Sequence, residues 1–280
     1  MPKNKEEKNI VKLVKKSNQL VEAKYKFDIW ETRVFTKMLT MIRKDDADFQ
    51  TYRIYLKDVI NEFDLANNNA AYKRLKKGAR KLMSKMVKVV RETEEGLKEL
   101  ETPIVVGVDK LISPNSKVED ARFIDISFHP GMKPFLLSLQ SHFTIYDVRN
   151  ILKLPSSYSI RIYELLKQYQ KIGRRKFELN ELKLIIGAIE EIVVDDDEIE
   201  YKDNYPLYGN FRQRVLEKAK RDLKKYTDIR FEYEPIKRGR AVHEIIFYIY
   251  SNQPTRDKAK KDKETGENID SIAIEIHEKV

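Results

Sequence analysis

Between residues 208 and 226 the side chains divide at helical spacing. At roughly 100° per residue, Phe211, Val215, Ala219, Leu223 and Tyr226 point one way. Asn210, Gln213, Arg214, Glu217, Arg221 and Lys224 point the other. The second set consists of types that hydrogen-bond to base edges: Arg suits guanine, Asn and Gln suit adenine, and Glu accepts from cytosine. Asn210, Gln213, Arg214 and Glu217, toward the helix start, are placed to reach bases, and Arg221 and Lys224 to clamp phosphates. Taken alone, such a face is the usual solvated side of an exposed helix. The turn Lys237-Arg238-Gly239-Arg240 shifts the balance. Glycine permits a tight turn between two strand-like runs, 229–233 and 242–250, and three cations sit at its tip with no acid among them. A cationic tip beside a reading helix suits a phosphate backbone or a minor groove. Residues 211–240 hold 11 basic and 5 acidic side chains. The competing reading of the turn is a solubilising loop.

A second cationic helix lies earlier. Residues 70–90 carry eight basic side chains and no acid. Tyr72, Leu75, Ala79, Leu82, Met83 and Met86 form its apolar face, opposite Lys73, Lys77, Arg80, Lys81, Ser84 and Lys88. Lys73, Lys77, Arg80, Lys81 and Lys88 suit phosphate binding with little base discrimination, because lysine is a point charge rather than a bidentate reader. The alternative is a solvated lysine face, although acids are normally interspersed on one.

Other chemistry is sparse. The chain has no cysteine, which removes disulfides, thiolate metal sites and a Cys nucleophile. His129, His142, His243 and His277 show no metal spacing, and no His-hydrophobe-His element serves a metal-dependent nickase. Phosphate-loop, dinucleotide and nucleophile-elbow motifs are absent. The acids Asp195, Asp196, Asp197, Glu198 and Glu200 read as a solvated loop, since consecutive acids do not converge on one ion. With 15 tyrosines, count does not exclude a nucleophilic Tyr, but nothing marks one out by an adjacent base. No metal, cofactor or catalytic residue is therefore expected, and the protein reads as a binder rather than an enzyme. With 55 Lys+Arg against 45 Asp+Glu, a net charge of +10 favours a polyanionic partner. No apolar run approaches the ~20 residues of a membrane span. The Lys/Glu-rich start has no signal core, so a soluble cytoplasmic location without membrane contact is expected.

These faces need elements to hold them. Ile29, Val34, Met38, Leu39 and Ile42 give residues 28–43 an amphipathic helix. A short strand at 52–56, a short helix at 57–65, an Asn-rich turn, the cationic helix and strand-like runs to 128 follow. After a connection, the order recurs: a long helix at 156–171, a shorter helical segment at 177–188, the 208–226 helix and two strands. Helix, turn, helix, longer helix and hairpin is the plan of a winged helix. Two copies account for the 280 residues without a long structureless loop. The expected fold is α+β, two tandem winged-helix domains at 28–140 and 155–250. A helical linker at 141–154 joins them, and a charged tail occupies 251–280 with a weak strand pattern at 269–276. The N-terminal arm, 1–27, carries Leu13, Leu20 and Phe27 at sevenfold spacing beside Val14 and Val21. That is a short zipper-like seam, or else an arm packed on its own domain.

The string LPSSYSIRIYELLKQY at 154–169 resembles the signature helix of the iteron-binding plasmid replication initiators of the Rep_3 (RepB-type) family. YGNFRQRVLEKAKRDLKKYTDIRFEYEPIKRGRAVHEIIFYI resembles that family's recognition helix and wing, and KKSNQLVEAKYKFDIWETRVFTKMLTMI its opening. The resemblance covers roughly residues 10–250. It implies a C-terminal domain reading repeated origin sequences (iterons) in the major groove. It implies an N-terminal domain that contacts the DNA backbone and forms the dimer interface. It further implies dimers that repress their own gene, monomers that initiate replication, and recruitment of a host initiator and the replicative helicase. By position, 208–226 is the recognition helix, Lys237–Arg240 the wing, and 70–88 the first domain's DNA-facing helix. The family offers no catalytic residue to transfer. A repressor with the same two domains, a Tyr-dependent nickase and a membrane-surface protein stand as the alternatives.

Overall fold

The computed structural model describes residues 12–109, 123–195 and 198–252. It opens with a strand, β1 (Leu13–Ser17), and a helical turn, α1 (Asn18–Glu22). Asp28 then starts α2 (Ile29–Leu39). The Asp28 carboxylate accepts from the N–H groups of Trp30 and Glu31 at 2.8 and 2.9 Å, and Glu31 accepts from the Asp28 N–H at 2.6 Å. This reciprocal cap satisfies donors that a helix start leaves orphaned. β2 (Tyr52–Tyr55), α3 (Leu56–Glu62) and α4 (Asn69–Leu82) follow. Asn68 caps α4 by accepting from the Ala71 N–H at 3.0 Å. Leu75, Ala79 and Leu82 bury the inner face of α4. Gly78 lets α4 touch the start of α2: a Cβ there would lie 2.9 Å from the Trp30 carbonyl carbon. A hairpin of β3 (Met86–Thr93) and β4 (Gly96–Pro103) comes next, then β5 (Val105–Asp109) and β6 (Phe123–Phe128). β2, β6 and β5 form an antiparallel sheet in that order. This is the first winged helix.

α5 (Lys133–Leu136), β7 (Phe143–Asp147) and α6 (Arg149–Leu152) lead to the second. It contains α7 (Ser157–Lys167), β8 (Arg174–Glu178), α8 (Leu179–Ile185), and a hairpin of β9 (Ile189–Asp195) and β10 (Glu198–Asp203). A helical run then joins α9 (Tyr208–Phe211), a π turn (Arg212–Leu216) and α10 (Glu217–Tyr226). β11 (Ile229–Arg238) and β12 (Ala241–Ser251) form the wing, and β12 also pairs with β8. Gly239 turns the wing at φ +63. Both domains share one contiguous buried cluster, from Val14 to Ile249.

Four expectations change. Leu13–Phe27 is not a zipper helix. β1 pairs with β7 along Leu13↔Asp147 to Ser17↔Phe143, and the chain is extended after α1. Two heptads make a marginal helix, and a strand partner supplies the backbone bonds instead. The 141–154 linker is half strand for the same reason, with only Arg149–Leu152 helical. Of the acidic residues at 195–200, Asp195, Glu198 and Glu200 lie on the strands of a hairpin, because Ile192-Val193-Val194 and the Ile199 and Tyr201 positions favour strand pairing. Asp196 and Asp197 lie outside the described residues, as do residues 1–11, 110–122 and 253–280, including the weak strand at 269–276. The cationic helix ends at Leu82, so Lys88 lies on β3 rather than on the helix face.

Candidate nucleic-acid interface

The apolar face of 208–226 is buried through Phe211, Val215, Leu216, Ala219 and Leu223. Phe211 and Leu216 are five residues apart, which an unbroken α-helix would not place on one side. The π turn reconciles them, with the Glu217 N–H donating to the Arg212 carbonyl. It swings Arg212, Gln213 and Arg214 outward together, all exposed. Wider helical turns of this kind often sit at functional sites. Asn210, Arg221 and Lys224 are also exposed, as are Lys237, Arg238 and Arg240 at the wing tip. Among the described residues, the side chains of Asn210, Gln213, Arg214, Arg221, Lys224, Lys237 and Arg240 hold no hydrogen bond or ion pair with one another or with a neighbour. These polar groups of the helix and of the wing tip are thus exposed and uncommitted, on elements that pack together through β11.

Glu217 departs from this pattern. It is half-buried, and it accepts a hydrogen bond from the Tyr233 hydroxyl at 2.6 Å. Burial, and then this bond, push the Tyr233 hydroxyl up, so it remains a donor at neutral pH. One Glu217 oxygen therefore braces the helix against wing strand β11. The sequence pattern placed Glu217 among the outward readers because a helical wheel does not show the wing. Arg212, which a straight helix would turn inward, was not a candidate; the signal was the five-residue spacing of Phe211 and Leu216.

In the first domain, Lys73, Lys77 and Arg80 are exposed along α4. Lys81 donates to Asp28 at 2.8 Å and stands 3.7 Å from Glu31. Partial burial pushes the Asp28 carboxyl up, but the Lys81 bond and the cap N–H groups outweigh it and hold it below its ordinary value. Lys88 lies 2.8 Å from Glu191 of the second domain's β9–β10 hairpin. It therefore joins domains rather than facing outward with α4. The hairpin turn of this domain carries Glu94 and Glu95, and its strands carry Glu92, Glu99 and Glu101. This hairpin is acidic at its turn, but it forms a two-stranded sheet of its own; by sheet order the counterpart of the second domain's wing is β5–β6, whose connection lies outside the described residues.

The string at 154–169 holds a feature that motif reading missed. Arg161 and Glu164 of α7 are 5% and 3% exposed. Glu164 takes the Lys16 ammonium at 2.9 and 3.0 Å, the Arg161 guanidinium at 3.2 Å and the Tyr146 hydroxyl. Arg161 also donates to the Tyr25 hydroxyl at 2.6 Å and to the carbonyls of Ala23 and Ile185 at 2.8 and 3.1 Å. Burial raises the Glu164 carboxyl, but the charges of Lys16 and Arg161 more than reverse this and keep it ionised. A buried carboxylate is tolerated only when paired this fully. Among the described residues, no group of three or more His, Asp or Glu is placed to hold a metal ion, and no helix is long and apolar enough to cross a membrane.

Comparison with known proteins places both halves. Residues 13–167 match the family model described as "Initiator Replication protein, WH1", and residues 198–249 match "Initiator Rep protein, WH2". The PI protein of Escherichia coli is 29% identical over 141 residues, which span 46% of this chain and 44% of that protein. The match thus covers less than half the length of this curated relative. A solved structure of the Pi initiator protein in complex with iteron DNA superposes with a TM-score of 0.67 at 21% identity, covering 88% of this chain and 100% of that one. At that identity the likeness establishes the fold, two winged-helix domains in tandem.

Proposed function

The chain belongs to the Rep3 family of initiator replication proteins, and on that premise we propose that it is a plasmid replication initiator that binds iterons of origin DNA sequence-specifically. The observation that carries this reading is the exposed, uncommitted row Asn210, Gln213 and Arg214 on the helix that Glu217 ties to wing strand β11, whose tip is cationic. Those side chains hydrogen-bond to base edges in a major groove, and Arg221, Lys224, Lys237, Arg238 and Arg240 hold phosphates. Glu217 reads with its second oxygen or acts only as the brace. Lys73, Lys77 and Arg80 hold the backbone at the first domain. Lys81 and Lys88 reach phosphate only by exchanging Asp28 and Glu191 for it. The two modules cover two groove segments about one helical turn apart.

Binding energy and DNA deformation open the origin, without covalent chemistry, cofactor or metal. The relative that carries iteron DNA supports this reading. In the cytoplasm the protein recruits a host initiator and the replicative helicase, exchanges between homodimer and monomer, and represses its own gene. Selection of bound duplexes from a random library at ~150 mM salt, where phosphate contacts alone weaken, tests the binding. A motif with two information-rich blocks, recurring as direct repeats near the gene, is expected; enrichment without a motif refutes sequence reading. Loss of replication on deleting the gene, with rescue in trans, separates an initiator from a repressor. A supercoiled plasmid nicked by the protein with Mg²⁺ would overturn the non-enzymatic mechanism.

A further inference from the structure

Residues 16–26 form a strap between the two domains. Its backbone is tied to the first domain, where Lys24 and Lys88 exchange N–H···O bonds of 3.1 and 3.2 Å. Its side chains and one carbonyl reach the second. Lys16 meets Glu164, Ala23 and Tyr25 meet Arg161, and Glu22 meets Arg175 at 2.6 Å. Lys24 meets Glu191 at 3.0 Å and Lys26 meets Glu190 at 2.5 Å. Lys88 of the first domain takes the other Glu191 oxygen, so one carboxylate joins the strap, β3 and β9. Gly187 admits the strap: its φ is +74, and a Cβ there would stand 2.8 Å from the Lys26 Cβ.

Six contacts from eleven consecutive residues fix the strap's path. Their partners lie on α7, β8 and β9, so they set the translation and rotation of the second domain against the first. Two helices facing one duplex must be separated to match its helical repeat of about 10.5 base pairs, and one base pair of error turns a groove by roughly 34°. With the reading helix docked, such an error shifts the first module by one base pair against its own block; phosphates repeat at every step and do not register the shift, so it is felt through the base pairs that module favours.

On the basis of the proposed DNA reading, we infer that the strap and the carboxylates it meets, Glu164, Glu190 and Glu191, determine the DNA spacing that the protein accepts. They do this without touching DNA, as positioning residues for α4 and the 208–226 helix. Glu190 and Glu191 are partly exposed, so replacing them leaves the buried core intact. Burial favours their neutral forms, but the hydrogen bonds from Lys26 and Asn204 to Glu190, and from Lys88 and Lys24 to Glu191, keep both ionised.

The test uses the full chain and a duplex library in which the two selected blocks are held constant and the spacer between them is varied. The wild type should prefer one spacer over its ±1 base-pair neighbours by about tenfold, the scale of one mismatched pair. Glu190→Gln with Glu191→Gln should bring that ratio to within about threefold while base preference inside the second domain's block stays unchanged. Lys24→Glu, Lys88→Glu and Glu191→Lys together should restore it, which loss of stability alone would not do. Glu164→Gln should broaden spacing further; where it fails to fold, the surface pair carries the test. Unchanged spacer selectivity in the folded Glu190/Glu191 variant overturns the inference, as does loss of base preference together with spacing. Selection of a single block, with no bases favoured by the first module, also overturns it; a wild type with no base preference at all refutes the functional reading beneath it, a distinct result.

Discussion

In the second domain, the outward helix offers Asn, Gln and Arg, and the adjoining hairpin ends in Lys237, Arg238 and Arg240. In the first, α4 offers only Lys and Arg, and the adjoining hairpin ends in Glu94 and Glu95. Bidentate and amide groups discriminate bases, whereas ammonium groups register charge. An acidic turn disfavours a phosphate backbone, and Glu95 is in addition paired with Lys98; this hairpin is the counterpart of β9–β10, not of the cationic wing. The helix ends differ too. Lys81 is drawn back onto Asp28 and Lys88 is drawn across to Glu191, leaving Lys73, Lys77 and Arg80 outward. On the proposed reading, one module chiefly reads sequence, and the other chiefly meets charge and holds its neighbour.

The largest effect should come where the two modules stop being separate. Glu164→Ala leaves Lys16 and Arg161 buried without their carboxylate and should cost about 3–5 kcal/mol. Urea unfolding should show one cooperative transition moved to lower denaturant. Two transitions with only one displaced would mean the domains are independent after all. Next, Arg214→Ala should cost about 1–3 kcal/mol on the preferred duplex and relax choice at one base pair, while Lys77→Ala weakens all duplexes alike. Competition binding against single-base variants checks this. Equal losses on specific and random DNA for Arg214→Ala would erase the contrast between the modules.

The two hairpin tips, β11–β12 and β3–β4, should differ by less. Arg238→Ala should lower the slope of log affinity against log salt by about 0.9, one phosphate contact. Glu94→Ala with Glu95→Ala should leave that slope unchanged; a steeper slope would place the acidic tip near DNA. A smaller loss, about 1 kcal/mol of stability with no change in affinity per folded molecule, is expected for Asn68→Ala, which removes the α4 cap. Thermal unfolding beside titration of active protein separates the two. The smallest effect concerns acid. Because the Asp28 carboxyl is held below its ordinary value, its contribution is complete above the usual carboxylate pKa of about 4 and is lost as pH falls through the lowered folded value. Asp28→Asn should flatten that part of the stability–pH curve.

Much of the plan is legible in the sequence because it rests on local periodicity. The capped starts at Asp28 and Asn68, the apolar face of 208–226 and the Gly239 turn are each set by residues within a few positions of one another. What failed to show depended on distant partners. The Leu13, Leu20 and Phe27 spacing reads as a seam only until β7 supplies a strand partner. Glu217 and Lys81 read as free until Tyr233 and Asp28 arrive from other elements. The acidic residues at 195–200 drew attention from the apolar runs that pair on either side of them.

Residue types and their spacing alone determine that the chain carries two cationic helix faces, one mixed with Asn and Gln and one chiefly of Lys and Arg, because side-chain chemistry and helical repeat are properties of the segment itself. Only the tertiary structure decides which of those cations remain outward, that a π turn presents Arg212, Gln213 and Arg214 together, and that residues 16–26 bind the modules in one arrangement. The reason is physical: a charge is free or spent according to what folding brings within about 3–4 Å of it, and those neighbours are up to 167 positions away along the chain, as between Lys24 and Glu191.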